Sequence, residues 1–240
     1  FSCFSVILLF FFANIQASLL LAFTILYYSV FYTMYLKHKT SQNIVIGGLA
    51  GALPPVIAWI SISSEQIIYP TILCAIIFLW TPPHSWALAI YRNQDYSNAD
   101  VPMYPVKHGI KKTLFMMNIY TVLMIATVNL LFLLSLTGIF FFITSNILNA
   151  YFGFKLYKLN ISDNTKKDAI KLFGFSILYL FMIFTRKTTA PAATLWVEAN
   201  HPRRRTYVPS MWYCGDCQDL RAANLSALRA MSTQSESPNP

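Results

Sequence analysis

The sequence predicts an all-α fold, a polytopic transmembrane helix bundle. Three observations predict it. Hydrophobic residues make up 56% of the chain and charged residues only 11%, whereas soluble domains carry about a quarter charged residues. Apolar runs recur at helix length, and lipid tolerates helices but not open sheets, whose edge N–H and C=O groups would find no partner there. Lys and Arg appear in every second connection between those runs, the alternation that the positive-inside rule gives a chain crossing a bilayer repeatedly.

Taken in order, the apolar runs span 1–12, 17–36, 44–62, 68–91, 114–136, 139–156 and 172–185. Crossing the hydrocarbon takes roughly 20 apolar residues, so the middle runs suffice and the first and last read as truncated. The connections at 14–17, 63–66 and 137–138 contain no Lys or Arg. Those between them hold Lys37, His38 and Lys39, then Arg92, Lys107, His108, Lys111 and Lys112, then Lys155, Lys158, Lys166, Lys167 and Lys171. The basic connections are expected on the cytoplasmic side of a bacterial membrane, or on the matrix side of a mitochondrial inner membrane. The net charge of +9 is thereby assigned to a lipid bilayer and not to nucleic acid. The chain opens on Phe1 inside an apolar run without a basic leader region, so no signal peptide is read. The expectation is a fragment that starts partway through a transmembrane helix.

Composition changes after Thr185. Residues 1–185 use ten Lys and one Arg, whereas 186–240 use one Lys and six Arg. The membrane domain is expected over 1–185, with about seven helices, and 186–240 is expected to be an unrelated or disordered tail. Cys214 and Cys217 form an isolated C-x-x-C without the second ligand pair that structural zinc normally needs. Cys3 and Cys74 lie in apolar runs and read as small hydrophobes.

Polar groups collect at two places. In 35–60, Gly47, Gly48, Gly51 and Ala52 offer a small surface for close helix approach, and Pro54 and Pro55 are expected to kink the helix or open its ladder. Packing is the favoured reading there. The second place is WTPPHSWALAIYRNQDY, 80–96. If a helix resumes after Pro83 and runs to about Asp95, His84, Leu88, Tyr91 and Asp95 share one face, with His84 roughly 16 Å deeper than Asp95. An ionisable group inside a membrane is a functional candidate by default. Arg92, Asp95, Lys107 and His108 follow closely. A carboxylate amid basic groups suits a magnesium-bound phosphate, since the metal takes oxygen ligands and the cations neutralise the remainder.

Three blocks resemble the UbiA-type prenyltransferase superfamily, and within it the branch that farnesylates protoheme IX. They are YLKHKTSQNIVIGGLAGALPPVIAW, WTPPHSWALAIYRNQDYSNADVPMYPVKHG and KLFGFSILYLF, spread over about residues 1–185. The resemblance implies helices around a central cavity and transfer of a farnesyl group from farnesyl diphosphate to a vinyl group of heme B. It implies magnesium on the diphosphate, a role in heme O and heme A biosynthesis, and heme A synthase or oxidase assembly factors as partners. It assigns Arg92, Asp95 and Tyr96 to the second polar motif, with Asp95 as the metal contact. Lys37, Lys39 and Lys107 match basic positions for diphosphate or heme propionates, Asn43 and Tyr91 match polar positions, and His84 is expected to face the heme, as iron ligand or orienting group.

The sequence also departs from that pattern. The superfamily's first motif, Asn-x-x-x-Asp-x-x-x-Asp, is absent, and the acidic pair often found in the second is Gln94-Asp95 here. Little or no transferase activity is therefore expected from this polypeptide by itself. Two other readings compete: a prenyltransferase for a quinone or chlorin precursor, and a heme-handling transporter or scaffold, since polar groups at broken helices also mark transport sites.

Overall fold

The computed structural model describes residues 2–36, 39–62, 67–162 and 164–185. Lys37, His38, the connection at 63–66 and the whole of 186–240, including the C-x-x-C, lie outside the described residues. The described residues form helices and no strand. Helix α1 (Ser2–Phe12) is followed by α2 (Ile15–Leu26), which continues as a π-helical segment, Tyr27–Leu36. Next come α3 (Asn43–Ala52), α4 (Pro54–Ile62), α5 (Ile68–Tyr91), the short α6 (Asn93–Asn98), α7 (Tyr104–Leu133), α8 (Ile139–Ile161) and α9 (Thr165–Thr185). Six segments are long and apolar enough to cross a membrane, namely Ile15–Leu36, Asn43–Ile62, Ile68–Tyr91, Tyr104–Leu133, Ile139–Ile161 and Thr165–Thr185.

Local chemistry sets several boundaries. Asn14 caps α2, its Oδ1 accepting from the Ala17 N–H at 2.8 Å, while its Nδ2 donates to the carbonyl of Ile60 at the end of α4. The expected break at Pro54 is present: α3 stops at Ala52 and α4 starts on the proline, whose missing N–H is no loss in a first turn. Pro105 opens α7 in the same way. Gly109 interrupts α7 with φ 79° and ψ 163°, a backbone state that a Cβ would oppose.

Two expectations need correction. The proline pair at 82–83 does not divide α5, which runs unbroken from Ile68 and ends at Tyr91. Arg92, at φ −98° and ψ 29°, is the joint to α6, so His84 and Asp95 belong to different helices. The last helix is not short either. It begins at Thr165, and the polar first turns that hid it from an apolar-run reading bring it to 21 residues.

Helix α5 is the hub of the bundle, packing on α7, α9, α3 and α4. Trp86, Ala87, Ala89 and Ile90 are almost fully buried. Large apolar side chains instead coat the outside, among them Ile62, Val122, Leu133 and Phe140, as a lipid-facing surface requires. Because lipid supplies no hydrophobic drive between helices, close backbone approach matters more. A Cβ added to Gly48 would come within 3.1 Å of Thr81 on α5, and one on Gly47 would overlap the Tyr32 ring. These glycines therefore serve packing, as the small-residue pattern predicts, whereas Gly51 meets nothing.

Candidate active site

The joint at Arg92 ends α5 beside the first turn of α9. There Tyr91, Arg92, Asp95 and Lys166 line an open pocket of about 350 Å³. Among the described residues the one salt bridge is Lys171 to Asp168, at 3.9 Å. Arg92, Lys166 and Asp95 thus meet at the hollow without pairing with one another. Two cations and one carboxylate leave a net positive site, suited to an anion of more than one charge. The planar guanidinium can grip phosphate oxygens bidentately, while the lysine acts as a point charge.

The basic connections gather at this end. Ser41, after the π-helical segment, lies 2.9 Å from Nε2 of His108 at the start of α7, and the pocket joins the start of α6 to that of α9. The contact of Asn14 with Ile60 belongs to the lysine-free connections. The Ser41–His108 contact and the pocket bring connections that hold basic residues next to one another.

The other candidate residues lie outside the pocket lining. Tyr96 is half-buried on α6, its carbonyl accepting from the Val101 N–H at 3.1 Å. Lys39 is exposed, its ammonium 3.9 Å above the Tyr35 ring. Lys107 is exposed in the first turn of α7. Asn43 is buried at the first position of α3, where its Oδ1 accepts from the Ile44 N–H at 2.7 Å. None of these lines the pocket, and Lys37 is outside the described residues. His84 sits deeper on α5, stacked between Trp80 and Phe173 with ring centroids 4.2 and 4.5 Å away. Lys166 was missed as a site residue. It is one of five lysines in its stretch, and only the approach of α9 to the end of α5 distinguishes it.

Among the described residues, no three His, Cys, Asp or Glu side chains cluster to hold a metal. Asp95 is the pocket's one carboxylate. That donor set fits magnesium as an ion shared with a phosphate-bearing substrate, because Mg²⁺ commonly takes one or two carboxylates and fills its octahedron with phosphate and water oxygens.

Residues 1–182 match the model of the UbiA prenyltransferase family. The chain belongs to the UbiA prenyltransferase family. An integral membrane helix bundle is thus both the family's architecture and what the described helices form. Curated relatives within it include proteins named protoheme IX farnesyltransferase. The one from Pelagibacter ubique (strain HTCC1062) is 46% identical over 186 residues, covering 76% of this chain and 61% of the relative. The one from Afipia carboxidovorans is 47% identical over 174 residues, covering 71% and 56%. The one from Alcanivorax borkumensis is 42% identical over 181 residues, covering 75% and 59%. The chain therefore spans about three fifths of the length of these relatives. No solved structure matches it.

Proposed function

We propose that the gene product carrying residues 1–185 transfers a farnesyl group from farnesyl diphosphate to a vinyl group of heme B, with addition of water, to give heme O for terminal oxidases. The observation that carries the reaction type is the pocket where Asp95 meets Arg92 and Lys166, which pair with no charge among the described residues. The names of the UbiA relatives support the choice of heme B and of a farnesyl donor.

Ionising an allylic diphosphate separates a carbocation from a multiply charged leaving group. Arg92 and Lys166 would bind the oxygens on which that charge grows, an effect that counts most when the cations are already in place. Asp95 would hold one oxygen-ligand position of a magnesium ion, and the Tyr91 phenol can donate to a phosphate oxygen. Magnesium, when bound, would offset charge on the leaving diphosphate. The vinyl carbon then bonds to the farnesyl C1, the neighbouring carbon takes water, and a proton leaves, so the products are heme O and diphosphate. Tyr96, Lys39, Lys107 and Asn43 are assigned to orienting the substrates, with Lys37 beside them in sequence.

One pocket carboxylate gives this 240-residue chain a weak metal site, and we assign it little or no turnover by itself. The basic end is placed on the cytoplasmic face of a bacterial membrane, with residues 186–240 outside the catalytic domain and oxidase assembly factors or heme A synthase as downstream partners. Membranes containing the gene product, supplied with farnesyl diphosphate and heme B and read by mass spectrometry, are expected to yield heme O. Prenylation of a quinone or chlorin precursor in its place would reassign the acceptor. Heme uptake without any prenylated product would favour a transporter or scaffold.

A further inference from the structure

His84 is held in a way that fixes which of its ring nitrogens is available. The Ser176 hydroxyl has one hydrogen, and it donates this to the carbonyl of Phe173 at 2.6 Å. The same oxygen lies 2.6 Å from Nδ1 of His84. With its hydrogen already used, Ser176 Oγ can only accept there, so Nδ1 carries the proton and Nε2 keeps its lone pair. Trp80 and Phe173 cover both ring faces at interplanar angles of 17° and 23°. Trp80 is itself pinned to α9, its Nε1 donating to the carbonyl of Ser176 at 2.9 Å. The ring therefore cannot turn over without breaking two stacks and a hydrogen bond. His84 is only partly buried, and among the described residues no hydrogen-bond partner meets Nε2.

An imidazole whose Nδ1–H donates to a fixed oxygen while Nε2 stays open is the arrangement of a metal-ligating histidine, where the outer hydrogen bond sets tautomer and orientation and raises basicity. Along α5, His84 lies between residues that line two hollows and itself lines neither. Toward one end is the charged pocket at Tyr91, Arg92 and Asp95. Toward the other is an apolar one of about 330 Å³, where Trp80 and Ile77 face Phe181 and Phe184. An iron-bearing macrocycle with charged side groups has a use for each of these features. We propose that Ser176 is a positioning residue that holds His84 as the Nδ1–H tautomer, so that Nε2 ligates the iron of the porphyrin substrate. This rests on the reading of heme B as substrate.

The test uses the 240-residue chain in lipid nanodiscs, titrated with heme B and followed by absorption and by resonance Raman of the ferrous form. An iron–histidine stretching band is expected in the unaltered chain. His84→Ala should abolish it, and added imidazole should restore a nitrogen-ligated spectrum, which shows that the variant is folded. Ser176→Ala should keep the histidine but weaken heme binding by roughly 10–100-fold, the usual effect of losing an outer hydrogen bond, and lower the iron–histidine frequency; Ser176→Thr should retain both. Nitrogen-15 NMR of the heme-free chain should show His84 protonated at Nδ1, with a tautomer mixture in Ser176→Ala. Heme bound with an unchanged band in His84→Ala, or with a band in Ser176→Ala like that of the parent, would overturn the proposal while leaving heme as substrate. Absence of any heme uptake, both by this chain and by the gene product carrying residues 1–185, would remove the heme reading itself, and this proposal with it.

Discussion

Two polar regions of this bundle are built in opposite ways. Along the seam of α7, α8 and α9, polar side chains pair across helices. Asn118 Nδ2 donates to Asn160 Oδ1 at 3.2 Å, Asn146 Nδ2 to Asn129 Oδ1 at 2.8 Å, and the Tyr179 hydroxyl to Asn149 Oδ1 at 2.7 Å. Where α5, α6 and α9 meet, Arg92, Asp95 and Lys166 share a hollow and pair with no charge among the described residues. The seam groups lie within the spans, where a polar side chain is costly beside lipid, whereas Arg92, Asp95 and Lys166 are exposed at the ends of their helices. At the seam much of that cost is offset within the protein, although Asn149 Nδ2 is buried without a partner among the described residues, and the groups hold helices together. At the pocket the charges stay open to an incoming anion. In a membrane protein, a polar side chain therefore says little about function until its partner is known.

The comparison breaks most sharply at Asp95. Asp95→Asn in the gene product carrying residues 1–185 keeps size and removes the carboxylate, so heme O formation should fall by on the order of 10²-fold or more. Chelation of divalent cations should lower the unaltered enzyme similarly and add little to the variant. If Asp95→Asn retains full turnover under saturating magnesium, the pocket is not the diphosphate site. A smaller effect is expected at Lys166→Gln, about tenfold or ~1.4 kcal/mol in kcat/KM, shrinking as salt rises because the pocket is open to screening. Equal loss at Lys167→Gln, one residue away, would show that only general positive charge matters. Smallest for catalysis is Tyr179→Phe at the seam. It should cost about 1–2 kcal/mol in a detergent unfolding assay, since the buried Asn149 Oδ1 loses its donor, with turnover unchanged. A large loss of turnover without loss of stability would move the seam into the site.

Much of this was legible in the sequence. Apolar runs placed the spans, because length and hydropathy alone decide whether a helix can cross a bilayer. The proline at 54 marked a real break, whereas the pair at 82–83 did not. The carbonyls of Phe78 and Leu79 lose their N–H partners to those prolines, yet α5 stays helical where neighbouring helices confine it, as membrane helices commonly do. The start of α9 was hidden because Lys166, Lys167 and Asp168 carry no apolar signal.

By itself, then, the sequence determined the class of fold, the spans, the alternation of charge and the motif around Asp95, all of which follow from local composition and spacing. Tertiary structure alone decided that the helix breaks at Arg92, that Lys166 joins Asp95, and that Ser176 fixes the ring of His84. Those contacts link residues more than 70 positions apart, and a helix period records which face a residue occupies but not what stands opposite it.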